Sequence, residues 1–179
     1  MNRRQLLSYT LGTGAAVTTG LLSLSLQGSV LVSPPTPLSI LTQREYSILY
    51  HIADILIPAT PPFPPASQLN IAMQVDSVIA QMGLEQQEQC KLVLALIENP
   101  SLNTLLAFQT KPFTQSTTQE RVDRIEKWRI GPDQLRSAFK ALNGMCNAAY
   151  YSSPTIEVLI GYDGPPAFIR EIRKAKGYP

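Results

Sequence analysis

Apolar residues recur every three or four positions along most of this chain, and Pro and Gly punctuate the runs. Tyr46, Leu49, Ile52, Ala53 and Leu56 trace the buried stripe of an amphipathic helix. Ahead of it, Thr42-Gln43-Arg44-Glu45 has the Thr-x-x-Glu spacing of a capping box, and Pro58 ends the helix. From Pro58 to Pro65 there are five prolines in eight residues, which excludes helix and central strand. Ile71, Ala72, Val75, Val78, Ile79 and Met82 predict a second helix over Leu69–Met82, broken at Gly83. A third over Glu85–Ile97 carries Cys90, Val93, Leu94 and Ile97, and stops at Asn99-Pro100. Ser101 then caps a short helix with Leu102, Leu105 and Leu106.

Thr117 or Thr118 caps the next helix, which reaches Trp128. Arg121, Arg124, Lys127 and Arg129 interleave there with Glu120, Asp123 and Glu126. Opposite charges three and four apart read as an exposed face, each pair contributing a few tenths of a kcal/mol. Gly131-Pro132 opens the longest helix, with Leu135, Phe139, Leu142, Cys146, Ala149 and Tyr150 as its stripe, and Pro154 marks its end. Over no comparable length does a strand-like alternation compete. The pattern predicts one all-α domain of about six helices over residues 41–179.

The first 32 residues follow a different rule. Arg3 and Arg4 precede an uncharged run from Gln5 to Val32, diluted by Gly12, Gly14 and Gly20. A charged tip before a moderately apolar stretch is the mark of a translocation signal. The arginine pair with Gln5-Leu6-Leu7 resembles the twin-arginine signal, an address read by its translocase and used by proteins that fold before they cross. The alternative is an uncleaved anchor, since the run exceeds the roughly 20 residues that span a bilayer. Residues 33–40, with Pro34, Pro35 and Pro37, form a stiff linker between this segment and the domain.

Charge narrows the partners. The formal net charge is +2, and Arg3 and Arg4 supply it, since they are two of 15 basic residues against 13 acidic ones. A neutral domain lacks the basic patch on which nucleic-acid binding rests. The local excess at Arg170, Arg173, Lys174 and Lys176 reads as a solvated helix face. Cys90 and Cys146 fall at apolar helical positions, which fits small buried hydrophobes. The alternative is a disulfide to a partner subunit, with Cys146 as the candidate.

Candidate chemistry is sparse. The single histidine, His51, lies inside the first helix, with Asp54 one turn on. Neither a GxSxG elbow nor a phosphate-binding glycine loop occurs, and Cys and His are not spaced for a metal. Carboxylates are spread singly, as on solvated faces. Two stretches are more specific: Ile52-Ala53-Asp54-Ile55-Leu56-Ile57-Pro58 with the proline run and Ala66, and Tyr150-Tyr151-Ser152-Ser153-Pro154 followed by Gly161-Tyr162-Asp163-Gly164-Pro165. Tyrosines on an ordered loop supply large contact area at low entropic cost, which suits an interface; ordinary loop packing accounts for the same residues.

These features occur together: an Arg-Arg leader, Ala53-Asp54 with Ile57-Pro58, Ala66, Asp76, Tyr150-Tyr151 with Pro154, and Gly161-Tyr162-Asp163-Gly164-Pro165. In this combination the chain resembles the gluconate 2-dehydrogenase subunit 3 family, the small subunit of membrane-bound sugar and alcohol dehydrogenases. The resemblance implies a non-catalytic partner of a large FAD-dependent subunit of the glucose–methanol–choline type. It implies that FAD resides in that large subunit, with no cofactor in this chain, and that a multihaem cytochrome c subunit can take the electrons onward. It further implies that the small subunit supplies the twin-arginine signal for both, so that the complex works in the periplasm or on the periplasmic face of the membrane. Tyr150, Tyr151, Gly161, Tyr162, Gly164 and Pro165 are the candidate partner interface.

Overall fold

The capping box at Thr42 forms as its spacing predicts. Thr42 Oγ1 accepts from the Glu45 amide at 3.3 Å, and Glu45 reaches back to the Thr42 amide at 2.7 Å. In the computed structural model, which describes residues 30–99, 111–162, 164 and 175, this box starts α1 (Gln43–Leu56). A 3₁₀ turn (Ala66–Leu69) follows, then α2 (Ile71–Ala80) and α3 (Leu84–Glu98). A second 3₁₀ turn (Phe113–Gln115) precedes α4 (Thr118–Ile130), α5 (Asp133–Tyr151) and α6 (Pro154–Leu159). The fold is all-α: the described residues hold six α-helices and one isolated bridge, Thr60 with Phe63. None of these helices is long and apolar enough to cross a membrane. The predicted short helix after Ser101, residues 1–29 of the predicted targeting segment and the basic residues Arg170, Arg173, Lys174 and Lys176 lie outside the described residues.

α1 is the hub. It packs against α2, α3, α4 and α5, while α5 also packs on α2 and α4. Leu49, Ile52, Ile71, Val75, Leu94 and Ile97 are all at most 1% exposed. Each such side chain contributes about 1.5–3 kcal/mol through the apolar surface it removes from water. Trp128 and Cys146 join the same core.

Two boundaries differ from the pattern, and a third is decided between two candidates. The predicted helix over Leu69–Met82 is split at Asn70, whose φ of 53° is left-handed, a conformation asparagine tolerates better than most residues. Pro154 does not simply terminate the long helix: α5 ends at Tyr151, and Pro154 is the first residue of α6, where its missing N–H costs nothing. Thr117, not Thr118, caps α4, in a second capping box with Glu120.

The linker is fastened to the domain rather than hanging free. The Val32 amide donates to Ser47 Oγ on α1 at 2.8 Å. The amides of Ser39, Ile40 and Leu41 all donate to the carboxylate of Asp76 on α2, at 2.5, 3.2 and 2.9 Å. Asp76 is fully buried. A carboxylate inside a core needs several donors, and three consecutive amides supply them.

Candidate partner-binding surfaces

The proline run is held as a closed loop at both ends. Ile57 O accepts from the Ala66 amide at 3.4 Å, and Thr60 and Phe63 exchange backbone hydrogen bonds across a turn with a cis Pro61–Pro62 peptide. Asp54 Oδ1 accepts from the Ser67 amide at 2.8 Å and so caps the first 3₁₀ turn. Tyr150 closes the arrangement from α5: its hydroxyl donates to Pro64 O at 2.8 Å. The two stretches singled out in the sequence therefore meet in space, 86 residues apart along the chain.

A polar cluster fixes the segment ahead of α4. Glu98 accepts from the Thr114 amide at 3.0 Å and from its hydroxyl at 2.7 Å. Arg124 donates to Ile97 O, Lys111 O and Ser116 Oγ, and its guanidinium lies 5.6 Å from the centre of the Phe113 ring. Arg124 is 1% exposed, which corrects the reading of this helix's charges as one solvated face. Two backbone carbonyls, a hydroxyl and an aromatic ring replace the water it gave up. Burial pulls its pKa down to about 10, against the opposing effect of Glu98, so it stays charged at neutral pH. The buried Asp76 and Glu98 likewise correct the picture of carboxylates confined to solvated faces.

His51 joins this cluster. Arg121 approaches its Nδ1 at 2.9 Å while also donating to Phe113 O and Thr114 O. A guanidinium only donates, so Nδ1 accepts and the ring proton sits on Nε2. Among the described residues, Nε2 is buried without a hydrogen-bond partner. Burial first, then Arg121, lowers the His51 pKa to about 4, with Asp54 pulling the other way. Such a ring is neutral at pH 7 and braces Arg121. Among the described residues no trio of His, Cys, Asp or Glu could hold a metal ion.

The late loop presents side chains outward. α6 ends in a Schellman arrangement: Gly161 N–H bonds Val158 O at 3.2 Å and Tyr162 N–H bonds Glu157 O at 2.8 Å. It needs the positive φ of 68° that Gly161 adopts. Tyr151, Val158, Leu159, Ile160 and Tyr162 are all 40% or more exposed, an apolar patch within one short stretch. Tyr150 is core rather than surface, at 4% exposed. Gly164 has a φ of 88°, and Pro165 lies outside the described residues. Cys146 is fully buried, and burial raises its thiol pKa to about 12.

A family model described as gluconate 2-dehydrogenase subunit 3 matches residues 43–164. The chain belongs to that family. The match runs from the first residue of α1 to Gly164, two residues past the exposed Tyr162, so it covers the proline loop, the polar cluster and the late loop together. No curated protein and no solved structure matches the chain. As a gluconate 2-dehydrogenase subunit 3, it is an accessory subunit of a dehydrogenase complex, and its other subunits are its partners.

One further surface lies between two helices whose apolar stripes were predicted. α3 and α5 flank an open groove of about 970 Å³. Cys90, Leu92 and Val93 line one wall, and Ser137, Ala141 and Gly144 the other. The wall on α5 mixes these small residues with Leu142, Met145 and Lys140.

Proposed function

We propose that this chain is the non-catalytic small subunit of an FAD-dependent dehydrogenase of the glucose–methanol–choline type, and that it escorts its folded partner through the twin-arginine pathway. The observation that carries the reading is the family match over residues 43–164, behind an Arg3-Arg4 leader. The buried ionisable groups support it, because Asp76, Glu98 and Arg124 hold backbone in place. Asp54 does the same for the 3₁₀ turn. On this reading FAD is bound by the large subunit, a multihaem cytochrome c subunit takes the electrons onward, and the complex works on the periplasmic side. The exposed patch from Tyr151 to Tyr162 is the first surface to assign to the partner.

Co-expression with the large subunit tests the escort role. Both proteins should reach the periplasm together, and replacing Arg3 and Arg4 by lysine should leave both in the cytoplasm. Export of the large subunit despite that change refutes the escort. Sequencing the mature N-terminus separates this reading from a permanently anchored assembly protein, which would keep residues 5–32.

A further inference from the structure

Residues 32–41 give a protease little to hold. Peptide-binding sites commonly take an extended segment by pairing with its backbone N–H and C=O groups. Both groups of Val32 are already engaged: its amide donates to Ser47 Oγ at 2.8 Å, and its carbonyl accepts from Gln43 Nε2 at 3.4 Å. Pro34, Pro35 and Pro37 have no N–H. The amides of Ser39, Ile40 and Leu41 are taken by the buried carboxylate of Asp76. Val32, Leu38 and Ile40 pack against the core, and Leu41 belongs to it. To be cut here the strap must first lift off α1 and α2, so cleavage is slowed in proportion to how rarely it opens. Val30 and Leu31, immediately ahead, are both more than half exposed.

The order of events turns this contrast into a boundary. On the export reading above, the chain crosses the membrane folded. A protease on the far side then meets a strap already docked. A chain threaded across unfolded would present residues 32–41 as open strand, and nothing would bar a cut among them.

We infer that the leader is removed ahead of Val32, and that residues 32–41 stay on the mature subunit as the first element of its fold; this rests on the export reading. The cut is a hydrolysis of one peptide bond. Water supplies the hydroxyl of the leader's new carboxyl group and the hydrogen of the mature chain's new amino group.

Mass spectrometry of the subunit from the cell envelope, after expression of the full chain with its dehydrogenase subunit, locates the first residue. It should lie ahead of Ser33, with the arginine pair gone. A start between Ser33 and Thr42, or a leader kept whole, overturns the inference. Thermolysin, which cuts ahead of Leu, Ile and Val, tests the protection itself. It should cleave ahead of Ile40 and Leu41 at least ten-fold faster in Asp76→Asn than in the wild-type subunit. Equal rates in a variant that keeps the wild-type circular dichroism overturn the clasp as the shield. If that variant fails to fold, hydrogen exchange on the wild type decides. The amides of Ser39, Ile40 and Leu41 should exchange at least ten-fold more slowly than that of the exposed Thr36, and equal exchange overturns the inference. A start inside the strap with export still dependent on Arg3 and Arg4 refutes the boundary alone. Export that persists after both become lysine refutes the twin-arginine reading and takes the boundary with it.

Discussion

Asp54, Asp76 and Tyr150 were notable in the sequence because they looked specific, and each does architectural work. Asp54 caps a 3₁₀ turn, Asp76 gathers three amides, and Tyr150 ties α5 to the proline loop. Losing any one strands backbone donors or acceptors, which costs about 1–3 kcal/mol for each buried group left unsatisfied. His51 is the residue whose setting makes a pH prediction. Its folded pKa of about 4 lies below the unfolded value of about 6.5, so the unfolded chain binds the proton more readily. Stability from this residue is complete above about pH 6.5 and is lost as the pH falls towards about 4. Partial solvent contact discounts the effect to about 1–2 kcal/mol. Urea midpoints of wild type and His51→Gln between pH 4 and 7 should converge on a constant difference at the upper end. Wild type should weaken relative to the variant towards the lower end. A difference that does not change with pH removes the buried neutral ring from the account.

At the scale of elements, α5 carries two different faces. Leu142, Cys146 and Ala149 are buried in the core, while Ser137, Ala141 and Gly144 are exposed. Gly144→Ala should therefore stabilise the isolated chain by about 0.5–1 kcal/mol, because helix propensity improves and the space is open. The thermal midpoint should rise by about 1–4 °C, and a fall would mean that Gly144 has a neighbour within the domain after all. The buried faces were legible in the sequence because each helix hides one stripe at a period of 3.6, and the Thr42 capping box because its partners are three residues apart; the box at Thr117 was read only as a choice between two caps. Arg124 was not. Alternating charges look the same whichever side of a helix turns inward, and the carbonyls that take Arg124 come from Ile97 and Lys111. The groove was silent for a related reason: periodicity marks Cys90, Val93 and Leu142 as apolar without showing which neighbouring helix covers them.

At the scale of the whole molecule, the domain begins earlier than its first helix. Leu41 is 4% exposed, and Val32, Leu38 and Ile40 pack against the core. Removing residues 1–31 should leave urea stability nearly unchanged. Removing 1–41 should lower it by about 4 kcal/mol or more, since a buried apolar side chain and the donors of Asp76 go together. Equal stability of the two truncations would show that the tether is only a tether. The sequence pattern placed a stiff spacer at 33–40 from its prolines, and it could not place Asp76, which lies 35 to 37 residues from the amides it holds.

That attachment bears on the proposed export route. Asp76 sits on α2 and the amides it holds run straight into α1, so residues 39–41 take their fixed position only once α1 and α2 are packed. A chain still collapsing would offer the same two arginines from a wandering base. On the proposed export route, the three-amide clasp would tie presentation of Arg3 and Arg4 to a domain already folded.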